Sequence, residues 1–293
     1  MARPRNRQPV KIREGSIDEL IGIYQRTYVR IAKEILDASD AGKIQRARVM
    51  ARINHDLEQL GVDMNEWVKK EIPQYYLDGV NVAQQDLRAM GVDISKSSQF
   101  AVVNKEAIKA LTDEVALNFA NAITGISRNA NIIIGDTLKQ QLNYIMAEGK
   151  LTGDTRKAIS AALKDRLEAE GIASLTDRAG KKWTLDNYTR MLARTKAVEA
   201  RNQGLTNRML ASGYDLVQVT DHGSSHAACA AWEGEVLSLT GQTPGYPTLD
   251  EAEGAGLFHP NCEHAINVLI PDLAEKTTAY DNPYNNEANA ASD

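Results

Sequence analysis

Cysteine and histidine are scarce in this chain, with two of the former and five of the latter among 293 residues. No apolar run approaches the roughly 20 residues of a membrane-spanning helix. Nor does an apolar stretch follow the basic start, as a secretory signal requires. The expectation is a protein with no membrane association that stays in the compartment where it is made, a setting in which structural disulfides are rare. A generally basic surface is missing too, because the formal net charge is −5. Positive charge is concentrated instead in Arg3, Arg5, Arg7, Lys11 and Arg13. Such an arm is most often a solvated terminus; beside DNA or an acidic partner it would make sequence-independent, salt-sensitive contacts.

The scarce ligands are gathered. Four of the five histidines and both cysteines fall between His222 and His264, most of them in the phrases His226-Ala-Ala-Cys229 and His259-Pro-Asn-Cys262-Glu-His264. A repeated H-x2-C phrase has the spacing of paired ligand knuckles at a tetrahedral zinc ion. His226, Cys229 and Cys262, with His259 or His264 as the fourth, would make a closed structural site with no position left for water. Two other readings compete. One is a Cys229–Cys262 disulfide, which the compartment argument disfavours; in the other the cysteines are small buried hydrophobes and the histidines satisfy local backbone groups.

The first half carries helical periodicity. Ser16-Ile-Asp-Glu19 reads as a capping box, after which Ile17, Leu20, Ile21, Tyr24, Tyr28, Ile31 and Ile35 recur on one face. Gly42 marks a break; Val49, Ile53, Leu57 and Leu60 form a second stripe before Gly61, and a third helix is predicted from near Asn65 toward Gly91, kinked or divided at Pro73. His55, among charged neighbours, is predicted to be a surface residue. Further stripes run through Ile108, Leu111, Val115, Phe119 and Ile123 and around Leu138, Leu142 and Ile145 up to Gly149. A shorter helix with Ile159, Leu163 and Leu167 ends at Gly171, Asp177-Arg-Ala-Gly180 reads as a tight turn, and another helix runs from about Thr184 or Asp186 to Gly213.

After Gly213 the pattern turns β-like. Tyr214 to Thr220, Val236 to Leu239 and Ala265 to Ile270 are predicted strands, joined by long irregular connections at 240–248 and 251–256. The fold class is therefore a mainly α N-terminal part with a small α+β, zinc-stabilised C-terminal domain. By local pattern it divides into a basic arm (1–15), a helical domain (16–150), a helical connector (151–213), the α+β domain with the Cys/His cluster (214–271) and an extended or disordered tail (272–293). A metal would pin a subdomain that has little core of its own.

Three runs carry a family resemblance: Gly180-Lys-Lys-Trp183 through Arg194-Thr195, then Ala200-Arg-Asn202-Gln-Gly204, then Gly213 through Val219. With Cys229-Ala-Ala-Trp232-Glu-Gly234-Glu-Val236, of the form C-x4-G-x-V, and the HPNC phrase His259 to Cys262, they resemble tailed-phage minor capsid proteins, more specifically the phage Mu F-like head morphogenesis and phage minor capsid protein 2 families. The resemblance covers roughly residues 177–270. Many Mu F-like members place cysteine where this chain has His226 and His264, an exchange that a zinc site tolerates. The family match favours His264 over His259 as fourth ligand. The resemblance implies a non-enzymatic virion protein, a low-copy part of the capsid assembled in the host cytoplasm. It would act in head morphogenesis or DNA packaging at or near the portal, touching portal or major capsid protein and, through its basic arm, packaged DNA.

Enzyme readings rank below this one. Asp221-His222 with Asn261 and His264 could mimic an HNH-type nuclease, but that fold needs an open metal position and a helix after the last histidine. His222-Gly-Ser-Ser-His226 has the histidine spacing of a zincin without its glutamate, on poor helix-forming residues. Arg194, Thr195 and Glu199 suggest an ADP-ribosyl transfer site but read better as a salt-bridged helix face. Trp232 reads as a packing residue shielding the cluster.

Overall fold

The computed structural model describes residues 12–37, 43–94, 100–133, 174–176, 182–221, 223–224 and 226–270, with short helical pieces between 144 and 165. Most of the arm 1–15, the turn 177–180, His222, the tail 272–293 and most of the region read as helices between 138 and 171 lie outside them. Among the described residues four long helices dominate: α1 (Glu14–Asp37), α2 (Lys43–Ala89), α3 (Phe100–Ile133) and α4 (Leu185–Ala211). A short antiparallel pair, β1 (Ser174–Thr176) and β2 (Lys182–Thr184), precedes α4. Beyond it lie β3 (Leu216–Val219), α5 (Ala227–Ala230), β4 (Val236–Ser238), α6 (Leu249–Gly254) and β5 (Ile266–Val268). The chain forms two compact units, one comprising Arg13–Glu71 and Ala110–Arg194, the other Met1–Ile12, Ile72–Lys109 and Thr195–Asp293.

The first unit is mainly helical, with the β1–β2 pair, and the contacts between its helices run antiparallel. Arg30 pairs with Asp56 and Arg52 with Glu34 across α1 and α2. Ser127 donates to Asn54, and Trp67 meets Phe119 edge-on at 6.5 Å, across α2 and α3. Arg190 reaches Glu14 and Asp18, while Arg194 reaches Glu14, joining α4 to α1. The predicted stripe from Ile17 to Ile31 and that from Val49 to Leu60 are buried, as a 3.6-residue period requires, and His55 is exposed.

Two helix boundaries differ from the sequence reading. Ser16 is not a cap: α1 begins at Glu14, the Arg13 carbonyl accepts from Ser16 and Ile17 N–H, and Ser16 takes the Trp67 indole N–H on its carbonyl and hydroxyl at 2.9 Å. A tertiary hydrogen bond thus claims the side chain that a capping box would use. Helix α2 also runs unbroken through Gly61 and Pro73. A Cβ at Gly61 would lie 3.4 Å from the Ile123 Cδ1, so this glycine sits where α3 packs closely. Pro73 has no N–H to donate to the Lys69 carbonyl, and Lys69 lies on the exposed face of the helix. Burial of Val68, Ile72, Tyr75 and Tyr76 on either side outweighs both propensity costs.

The second unit contains the three-stranded antiparallel sheet, ordered β4-β3-β5. All three strands fall within the predicted segments. Its core is continuous with the helices: Leu87 of α2, Leu205 and Met209 of α4, Val217 of β3, Leu237 of β4 and Ile266 of β5 belong to one buried cluster that includes Cys229 and Cys262. Helices α2 and α4 cross in backbone contact. A Cβ on Gly79 would lie 1.8 Å from the Arg201 carbonyl oxygen, and one on Gly204 would lie 2.0 Å from that of Tyr76. Beside the crossing, Asn207 donates to the Tyr76 hydroxyl, and the Arg201 guanidinium reaches the Ile266 carbonyl at 3.4 Å, joining α4 to β5. Burial raises Asp86 to about 6, with Arg201 opposing the shift.

The connections after β4 are more ordered than the sequence reading supposed. Residues 251–256, read as irregular, include most of α6, which opens on a complete Thr248/Glu251 capping box. Asp215 organises residues 238–243, accepting from the hydroxyls of Ser238 (2.5 Å), Thr240 (2.6 Å) and Thr243 (2.7 Å) and from Thr240 N–H (2.8 Å). Burial pushes this carboxyl upward, but the four donors outweigh it and hold it down at about 2.

Candidate metal centre

Each ligand phrase is shaped by a local backbone device. His226 is the extended N-cap residue of α5, and its carbonyl accepts from Cys229 N–H (3.0 Å) and Ala230 N–H (2.9 Å), which turns Cys229 inward one helical turn on. In the second phrase Cys262 N–H donates to the His259 carbonyl at 2.8 Å, and Asn261 has φ 64. Proline at the second position, a left-handed residue at the third and an i to i+3 bond define a type II turn, so the Pro-Asn of HPNC is turn chemistry. After the turn, Ala265 N–H donates to the Thr220 hydroxyl and its carbonyl accepts from Thr220 N–H, which seats Cys262 and His264 beside the end of β3.

These devices bring all five predicted donors together as two overlapping triplets that share Cys229. Cys229, Cys262 and His264 are all buried; His226, Cys229 and His259 form the more exposed triplet. Within each triplet every ligand atom lies within 4.8 Å of the others. In the buried triplet the two sulfurs are 3.5 Å apart and Cys262 Sγ is 3.3 Å from His264 Nδ1. Zinc bonds of about 2.3 Å to sulfur and 2.0 Å to nitrogen give tetrahedral edges of about 3.8 and 3.6 Å, so these three donors fit one ion with small shifts. The cysteines are free thiols rather than a disulfide.

Burial pushes the Cys262 thiol up to about 12; backbone N–H groups of His264 and Phe258 directed at its sulfur lean the other way, and neighbouring Cys229 adds to the rise. A buried pair of thiolates is therefore costly alone, and a divalent cation reverses that cost by deprotonating the thiols it binds. Donors of this softness, in a buried setting, suit zinc.

Glu233 was invisible to sequence reasoning. Its Oε1 accepts from His264 Nε2 at 3.0 Å and from Ser224 N–H at 2.8 Å. With Nε2 carrying the proton, His264 turns the Nδ1 lone pair toward the sulfurs, the carboxylate–histidine arrangement that orients metal ligands. One glutamate among many acidic residues gives no signal until the fold places it. Trp232 is half-buried against the core cluster next to Cys229. Arg194 and Glu199 are engaged with Glu14 and Lys196 respectively, while the Thr195 hydroxyl accepts from Asn261 N–H. The nuclease reading loses its geometry, because the residues after His264 form β5 rather than a helix.

A family model described as phage minor capsid protein 2 matches residues 29–292. The chain belongs to the phage minor capsid protein 2 family. A relative described as a structural protein of Lactococcus phage LL-H is 28% identical over 119 residues, covering 38% of this chain. The match spans 32% of that protein's own length. No solved structure matches. Membership in a minor capsid family makes the phage particle the setting in which the Cys/His cluster and the helical faces are to be understood. Among the described residues, no helix is long and apolar enough to cross a membrane.

Proposed function

We propose that this minor capsid family member is a structural, non-enzymatic component of the phage head, assembled in the host cytoplasm and positioned at or near the portal during head morphogenesis. The observation that carries this reading is the family match across residues 29–292. The Cys/His cluster supports a structural part: its sulfurs and His264 are buried, and it binds one zinc through the expected set His226, Cys229, Cys262 and His264, with His259 now the alternative to His226 rather than to His264, because His264 lies with both sulfurs. The helices supply faces for portal or major capsid protein, and the basic residues Arg3, Arg5, Arg7, Lys11 and Arg13 supply salt-sensitive contacts to packaged DNA. Quantitative mass spectrometry of purified virions tests the role. The expected result is this chain in the particle at low, fixed stoichiometry to the portal protein; its absence from infectious particles would overturn the proposal.

A further inference from the structure

We infer that the fourth ligand position of the metal centre is shared by two interchangeable histidines, His226 and His259. The inference rests on the zinc reading above and goes beyond it by stating how the coordination shell is completed. Cys229, Cys262 and His264 supply three buried donors, and a tetrahedral ion takes one more. Both remaining histidines hold a ring nitrogen within 4.8 Å of Cys229 Sγ and of each other. Their rings lie with centroids 3.8 Å apart, tilted by 33°. Two imidazoles bound to one tetrahedral zinc at about 2.0 Å place their ring centres about 5 Å apart. At 3.8 Å the tilted pair is therefore too close for joint ligation, and one ring binds while the other lies against it.

Each candidate is equipped to bind. His259 Nδ1 lies 2.9 Å from the Pro260 carbonyl oxygen, so a proton there donates to the carbonyl and leaves the Nε2 lone pair for a metal. Its backbone is held by the type II turn that also carries Cys262. His226 stands one helical turn before Cys229 and is exposed, so its ring can swing toward the ion when its neighbour is removed. The 3.8 Å ring separation makes the exchange a side-chain movement that leaves the three buried ligands in place.

Zinc content and chelator-competition affinity of the purified full chain, together with the visible spectrum of its cobalt(II)-substituted form, test this in His226→Ala, His259→Ala and the double variant. Each single variant is expected to keep about one equivalent of zinc with less than roughly a tenfold loss of affinity and a tetrahedral cobalt spectrum. The double variant is expected to lose roughly a hundredfold or more and to show an altered cobalt spectrum, with added imidazole restoring the original band by entering the vacated position. A single variant as weak as the double would make that histidine the fixed ligand and overturn the sharing. A double variant that binds as tightly as the unsubstituted protein would remove both histidines from the shell. Failure of the unsubstituted protein to bind zinc would instead overturn the metal reading on which the inference rests.

Discussion

Glu233 and Asp215 show how much a single carboxylate does once the fold supplies its donors. Glu233 holds the buried His264 by its Nε2, so Glu233→Ala should leave all five donor residues present yet lower zinc affinity by roughly 10- to 100-fold, with Glu233→Gln closer to the unsubstituted protein. Competition with a zinc chelator measures it, and unchanged affinity in Glu233→Ala would remove Glu233 from the site. Asp215 makes a prediction about pH. Its folded pKa of about 2 lies below the ordinary 3.8, so its stabilisation is fully present above about pH 4 and is lost as pH falls through 4 toward 2. Discounted for solvent screening, this is about 1 kcal/mol. Urea denaturation of Asp215→Asn against the unsubstituted protein should show that difference at pH 6 and a smaller one at pH 3. Neither role was legible in sequence, where both are ordinary acidic residues. The donors were legible, because soft ligands are rare in this chain and their spacing is itself the signal.

At the scale of elements, the α2–α4 crossing depends on the absence of two side chains. Gly79→Ala and Gly204→Ala each drive a Cβ into a facing carbonyl and should destabilise the protein by about 3 kcal/mol, the upper part of the usual range for overpacking. Gly15 is the control: it lies in α1 with nothing within 4 Å of the place a methyl group would take, so Gly15→Ala should stabilise by about 0.5–1 kcal/mol. Thermal unfolding of the three variants checks the opposite signs, and equal effects would mean that the crossing is looser than the structure has it. Sequence pattern anticipated the stripes these helices bury but misplaced their punctuation. A break at Gly61 and a division at Pro73 do not occur, because the apolar residues around them bury enough surface to carry α2 through both. The capping box at Ser16 was read and the one at Thr248 was not, because Thr248 follows a run of proline and glycine that resembles loop.

For the whole molecule, the consequence lies in where the sheet finds its core. Leu87, Leu205 and Met209 share a buried cluster with Val217, Leu237 and Ile266, so the strands have an apolar core independent of any metal. Cys262→Ser should therefore release zinc and expose residues 221–262 to limited proteolysis first, while helical fragments from residues 13–71 persist. Cutting within α1 or α2 as early as in the ligand loops would show that the metal supports the entire chain. In phage complementation the same variant should give defective heads or non-infectious particles. Normal titre, with the variant confirmed in the particle, would count against both the structural metal and its part in the head.

The sequence by itself determined the local patterns: amphipathic stripes with a helical period, three β-branched segments after Gly213, and a gathered Cys/His set with the spacing of metal-ligand knuckles. These are local properties, written in residues within a few positions of one another. Tertiary structure decided what depends on distant residues meeting. It made Gly61 and Pro73 interior to a helix, set Gly79 against the Arg201 carbonyl and Gly204 against that of Tyr76, merged the sheet's core with that of α2 and α4, and placed Glu233 behind His264. It also brought the His226 and His259 rings together at 3.8 Å, a contact between distant residues whose separation only the packed chain can set.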